Sequence, residues 1–471
     1  MHDHLTRRSF LSGSALGLGS LAFGALFAQG AEGAQPVGPH FPAKAKRVIY
    51  LHQAGAPPQM ELFDYKPGLA KWHGKRLPDS FKKNLTFSVA GADQEPLIVP
   101  SLKPFKQYGQ SGRWMCESIP HIGSLADDIC IIDSMHTEHI NHAPAITLLQ
   151  SGSPIPGRPS MGSWASYGLG SMNADLPAFV VLSSVPTFTD CGQPLYEHLW
   201  SSGFLPAEHQ GTKLRAGSAP VLHVKNPEGM PAEAKRAMVD ALSQANRAHF
   251  DLFHDPEISA RVTQAELAFR MQTSVPDLID FSKESPAVLD SYGPMVRTPG
   301  TYAYNCLLAR RLAERNVRFI QLYHTGWDFH GHITTQLPAQ IQNVDQPTAA
   351  LIKDLKQRGL LDDTLVVWGG EFGRTVCVQG NIKDTAKFGR DHHGNCFTTW
   401  MAGAGVKAGH SHGTTDDFSV SVVDKGVHVH DLQATILERL GFDHTRLTAR
   451  YQGRDFRLTD VHGHVVKELL S

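Results

Sequence analysis

The stretch "VRFIQLYHTGWDFHGH" (Val317–His332) changes character at its midpoint. Its first half is a β-rich apolar run, the signature of a strand buried on both faces. Its second half is a loop that carries Asp328, His330 and His332 within five residues. Gly326 and Gly331 permit a loop tight enough for neighbouring side chains to converge. Carboxylate oxygen and imidazole nitrogen together suit Zn²⁺, Mn²⁺ or Fe, whereas sites dominated by carboxylates suit Mg²⁺ or Ca²⁺. In isolation the loop reads equally well as a solvated polar turn, so its neighbours decide.

The same alternation recurs along the chain. "AKRVIYLHQAG" (Ala45–Gly55), "DICIIDSM" (Asp128–Met135), "PAFVVLSS" (Pro177–Ser184), "TLVVWGG" (Thr364–Gly370) and "FTTWMAG" (Phe397–Gly403) read as further strands. Helical patterns lie between them: one opening at Pro231, Thr301–Asn316, "QPTAALIKDLKQRGL" stopped by Gly359, and His430–Phe442 capped by Asp431. Strands alternating with helices predict an α/β sandwich around a mostly parallel sheet. Residues 40–471 read as one large domain with a helical insertion at about 185–300.

In such sheets ligands bind beyond the carboxyl ends of the strands, and polar groups follow the strand runs here. Asp64 follows the first, "HTEHINH" the second, "GWDFHGH" the run at 317–324, and "EFGRT" the run at 364–370. Glu371 stands directly after a strand, and Arg374 is placed to clamp an anion. "GRDHHGN" brings Arg390, Asp391, His392 and His393 together, and adjacent histidines on an extended chain point opposite ways. His139 and His142 share a face if their segment is helical. Ser134 and Thr137 are candidate nucleophiles that need an activating base or metal. His462 and His464 read as structural or surface residues.

Lys plus Arg total 44 and Asp plus Glu 45, which leaves no basic footprint for nucleic acid or an anionic membrane. The start, "MHDHLTRRSFLSGSALGLGSLAFGALFAQGAEGA", pairs Arg7 with Arg8 ahead of a short, glycine-rich apolar run. It reads as a twin-arginine export signal over residues 1–34, which predicts a periplasmic or extracellular protein. No later run is long and apolar enough to span a bilayer, so the chain is not expected to be an integral membrane protein once the signal is removed. The six cysteines are dispersed and form no CxxC pair, which speaks against a cysteine zinc site.

Several motifs in order carry a resemblance: "GAPPQMELFDYKP", "INHAPAITLLQSG", "GRPSMGSWASYGLGS", "GWDFHGH", "LVVWGGEFGRT", "GRDHHGNCFTTWMAGAGVKAGHSHGTTDD", "HDLQATILERLG" and "YQGRDFRLTDVHGHVV". With these and its twin-arginine start, the chain resembles the exported bacterial domain-of-unknown-function family 1501. That family is similar to the alkaline phosphatase and sulfatase superfamily. The resemblance implies an α/β/α sandwich and hydrolysis of sulfate or phosphate esters at divalent metal: Zn, Mn, Ca or Mg. It implies metal ligands among Asp328, His330 or His332, Glu371, and His392 or His393, with Asp64 or Glu61 after the first strand, and Asp391 of "GRDHHGN" is a further ligand candidate from the residue reading. Arg374 and Arg390 would neutralise the charge of the anion.

The sequence also departs from the superfamily pattern. Phe372 follows Glu371 where a histidine is expected. His142 stands at the nucleophile position, Pro144 is kept, and Ile146 replaces an arginine. The expectation is therefore a metal-dependent hydrolase acting on a small-molecule or glycan ester, with His142, Arg374 and Arg390 as catalytic candidates. The alternative is an exported carbohydrate- or metal-binding protein that keeps the fold without catalysis.

Overall fold

The computed structural model describes residues 36–85, 87–88, 95–185, 194–215, 220–221, 226, 229–253 and 256–471. The expected export signal and Cys191 lie outside these residues. The first apolar run becomes β1 (Arg47–Gln53), buried along its whole length. Along the chain follow β2 (Ile129–His136), α1 (His142–Ser151), α2 (Met161–Leu169), β3 (Phe179–Ser183) and β4 (Thr212–Leu214). Two long helices come next, α3 (Ala232–Phe253) and α4 (Pro256–Ile279), and then α5 (Tyr302–Glu314). The chain continues through β5 (Phe319–His324), α6 (Ile333–Gln357), β6 (Thr364–Gly369), β7 (Gly373–Gln379), β8 (Gly389–His393) and β9 (Phe397–Ala402). Two short strands, β10 (Ser411–His412) and β11 (Val427–His428), precede α7 (Val429–Arg439).

The main sheet runs β10-β2-β9-β6-β1-β5-β3-β4, with β11 also pairing β2. All its pairings are parallel except those of β9, which runs antiparallel to both β2 and β6. Alternate residues of β1 enter two cores. Ile49 and Leu51 pack with Leu307 and Leu312 of α5 and Ile352 of α6. Val48 and Tyr50 pack with Ile146 of α1, Trp164 of α2 and Ile436 of α7. A sheet covered on both faces is an α/β/α sandwich, and double coverage is why its strands read as continuous apolar runs.

Two local expectations change. The helix read from Gln346 begins instead at Ile333 and runs through Pro338 and Pro347. Its buried face of Leu337, Ile341, Val344, Leu351, Ile352 and Leu355 holds it together where each proline forfeits a backbone bond. At α7 the N-cap is His428, not Asp431; Asp431 sits at the third helical position and closes a capping box onto the His428 backbone. The five cysteines among the described residues are buried and unpaired. Among the described residues no helix is long and apolar enough to cross a membrane.

Candidate metal centre

Five chain segments meet at the carboxyl edge of the sheet. The turn after β1 is held by Gly55 at φ +109°, where a Cβ would lie 2.6 Å from the Asp328 backbone nitrogen. The loop after β5 brings Asp328 and His330, and the turn after β6 brings Glu371. The β7–β8 hairpin places Arg374 opposite His392 in register. The loop after β2 ends at Asn141, so His142 is the first residue of α1.

Four donor atoms converge there: Nε2 of His142, His330 and His392, and Oδ1 of Asp328. The His392 Nε2 lies 2.9 Å from that of His142 and 2.8 Å from that of His330. Asp328 Oδ1 is 3.2 Å from His142 Nε2, 3.0 Å from His330 Nε2 and 3.3 Å from His392 Nε2. Ligands about 2.0 Å from a tetrahedral ion stand roughly 3.3 Å apart, close to this spacing.

The rear of each ring explains why the Nε2 lone pairs face inward. Nδ1 of His142 lies 2.5 Å from Glu371 Oε1, Nδ1 of His330 2.6 Å from Gln379 Oε1, and Nδ1 of His392 2.6 Å from the Ile140 carbonyl. Each partner is an acceptor, so each Nδ1 carries the proton and donates it. Every Nε2 is thereby left with a lone pair aimed at the shared point, the arrangement that metal-binding histidines require. A cation fits this donor set. Without one, lone pairs and a carboxylate oxygen would face each other at van der Waals contact or closer.

Charges are balanced around the cluster. Arg374 is fully buried and donates from Nη2 to Asp328 Oδ1 at 2.5 Å. Its other donors reach the carbonyls of Gly55, Ala56, Trp327 and Arg390. Burial raises the Asp328 pKa, but the charge of Arg374, the largest opposing influence, helps hold the carboxyl far below the ordinary range. Burial likewise disfavours ionised Glu371, yet the bond from His142 holds it below its usual value. Burial, aided by Arg374 and the other two histidines, pushes His392 down to about 4, so it is neutral at pH 7. For His142, burial is outweighed by Asp328 and Glu371, which raise its pKa.

Of the residues singled out from sequence, Asp328, His330, His392 and His142 form the cluster. Glu371 stands behind His142 and also accepts from the Gly55 N–H at 2.9 Å. Arg374 stands behind Asp328. The others lie apart. His332 caps α6 in the left-handed region, with Nδ1 bonded to the Ala386 carbonyl at 3.0 Å. Asp64 accepts from Thr415 and Ser419 and pairs with Lys66. Arg390 pairs with Glu61 and donates to backbone carbonyls. Asp391 accepts from the backbone and hydroxyl of Ser88, and His393 donates to the Val420 carbonyl. Sequence reading put His142 at the site without the role of a donor in the cluster, and it did not find Gln379 or the Ile140 carbonyl. A backbone carbonyl has no side-chain signature to find.

The family described as "Protein of unknown function (DUF1501)" matches residues 45–470. No curated protein matches the sequence. Among solved structures, the chain is similar to a protein in the alkaline phosphatase superfamily from Vibrio parahaemolyticus, at 10% identity and a TM-score of 0.34, covering 86% of this chain and 70% of that one. It is similar to the PsFucS1 sulfatase from Pseudoalteromonas sp. at 12% identity and a TM-score of 0.33, covering 90% and 70%. It is similar to a phosphonate monoester hydrolase from Silicibacter pomeroyi at 13% identity and a TM-score of 0.31, covering 71% of each chain.

Proposed function

This chain belongs to the DUF1501 family, and we propose that it is a metal-dependent hydrolase of sulfate or phosphate esters that works outside the cytoplasm. The observation that carries this reading is the convergence of three imidazole nitrogens and one carboxylate oxygen, each imidazole held from behind by an acceptor. Three imidazole nitrogens suit a borderline ion such as Zn²⁺ or Mn²⁺ better than Mg²⁺ or Ca²⁺, which prefer all-oxygen shells. A divalent ion there would polarise an ester oxygen and lower the pKa of a bound water.

The chain's own residues favour an anionic substrate. One divalent ion and Arg374 bring three positive charges against the two carboxylates of Asp328 and Glu371, which leaves one in excess. The positive end of the ten-residue helix α1 begins at His142 and adds to that field. His330, about a third exposed, is the open side of the cluster. The substrate would be a small-molecule or glycan ester reaching the ion from that side. The twin-arginine start at Arg7–Arg8 supports export of a chain already folded around its metal.

A second reading, metal binding without hydrolysis, has its own support. Four protein donors at near-tetrahedral spacing are the pattern of a closed site. Of the two candidate nucleophiles, Ser134 has its hydroxyl engaged on the Lys425 carbonyl. The two readings part on turnover. Protein isolated without added metal is assayed for ion content, then loaded and offered aryl sulfates, phosphomonoesters and phosphodiesters beside Asp328→Ala. Bound ion with turnover on one class, lost in the variant, is expected. Bound ion with no turnover above the variant leaves the binding reading, and no bound ion removes both.

A further inference from the structure

Behind Glu371 lies a second imidazole that sequence reading did not select. His52 is in β1 and is completely buried. Its register partner in β6 is Gly369, two residues before Glu371. His52 Nε2 is 3.5 Å from Glu371 Oε2. Among the described residues neither ring nitrogen of His52 has a hydrogen-bond partner, and neither has Glu371 Oε2. Glu371 Oε1, by contrast, takes both the His142 Nδ1 and the Gly55 N–H.

We propose that His52 is a positioning residue for the metal centre, acting through Glu371 on His142. This rests on the metal reading of the cluster. A buried carboxylate with one oxygen doubly bonded and the other bare is poorly satisfied, and so is a buried imidazole with two bare nitrogens. Closing the 3.5 Å separation by a few tenths of an ångström gives the bare oxygen and one of the two ring nitrogens a partner with one bond. Glu371 is then fixed at three points: by His142, by the Gly55 backbone and by His52. A carboxylate pinned at Oε2 cannot rotate away from His142, so the His142 lone pair stays aimed at the ion. The competing role is packing alone, since the His52 ring meets Tyr323 edge-on at 5.4 Å and Tyr50 at 6.1 Å.

The test separates these roles by metal affinity, read by competition with a chromophoric chelator for Zn²⁺ and by the visible spectrum of the Co²⁺-loaded protein. His52→Phe keeps the ring packing and removes the N–H. It should weaken Zn²⁺ binding about 10-fold, within the 10–100-fold range of outer-shell partners, and alter the Co²⁺ spectrum. His52→Gln, which restores an N–H of similar reach, should recover most of the affinity. On a Glu371→Ala background, His52→Phe should cost nothing further, because no side-chain group at 371 then links His52 to His142. His52→Asn, too short to reach, replaces the phenylalanine variant if that chain does not fold. Wild-type affinity in His52→Phe, failure of His52→Gln to rescue, or full additivity with Glu371→Ala would each overturn the proposal and leave the metal reading standing. A wild-type chain that takes up no ion overturns both.

Discussion

Asp328 Oδ1 meets Arg374 on one side and three imidazole nitrogens on the other, so every group that touches it is a donor or a site for a cation. Replacing Arg374 by Met would strand a buried carboxylate and uncap the carbonyls of Gly55, Ala56 and Arg390. Breaking a buried pair from one side costs roughly 3–5 kcal/mol, and a urea titration of the metal-free protein should show a loss of that size. Gln379→Leu is milder. It removes the acceptor behind His330 Nδ1 and frees that ring to choose the wrong tautomer. Zn²⁺ affinity should fall about 10- to 100-fold with little change in metal-free stability, and unchanged affinity in chelator competition would count against the role given to Gln379. The two residues differ in how legible they were. Asp328 and His330 announced themselves as an acid and a histidine after a strand run, and His392 as one of the adjacent histidines of "GRDHHGN". Gln379 is an ordinary strand residue whose role depends on which way β7 faces. Glu371 was visible as an acid at the right edge. Whether it would face the ion or stand behind a ligand turned on side-chain direction, which spacing in the sequence does not fix.

The turn between β1 and the short helix that follows it at Gln59 is the element that ties these residues together. Gly55 gives its N–H to Glu371 and its carbonyl to Arg374, and it does so at φ +109°, a region that side chains disfavour. A Cβ there would press on the Asp328 nitrogen at 2.6 Å and on the Trp327 backbone at 2.9 Å, both backbone atoms that have no rotamer to escape into. Gly55→Ala should therefore cost about 2 kcal/mol or more in strain and displaced backbone, measured by denaturant unfolding. It should also weaken metal binding, because the displaced loop is the one that carries Asp328. Strands were legible because double coverage makes them unbroken apolar runs, as in "RVIYLHQ" and "FIQLYH". Helix α6 was legible only in its second half. Pro338 and Pro347 are local stop signals, and the burial of Leu337, Ile341 and Val344 that overrides them exists only once the sheet has formed.

Across the whole molecule, two layers of helices enclose a sheet whose interior carries ionisable rings as well as aliphatic side chains, and this sets how the fold responds to acid. Burial lowers His324 to about 3 and His209 to about 4, against an ordinary value near 6.5. Neither ring nitrogen of His324 has a hydrogen-bond partner among the described residues, so the native state holds it neutral by exclusion from water alone. The unfolded chain has no such constraint and begins to protonate these rings as pH drops through 6.5. Unfolding then takes up protons, so stability is complete above pH 6.5 and is lost as pH falls towards the folded values. Each histidine contributes a slope of about 1.4 kcal/mol per pH unit inside that window. His324→Phe keeps the ring contact with Tyr302, 4.7 Å between centroids in the native protein, and removes the titration. In urea titrations of metal-free protein, the variant should track wild type at pH 7.5 and gain on it below pH 6.5. At pH 5 the difference should reach about 2 kcal/mol, the slope acting over the 1.5 units below 6.5. Parallel stability curves for the two proteins between pH 7.5 and 5 would mean that His324 is reached by solvent or by a proton in the native state, and that the sheet interior is less dry than its packing indicates.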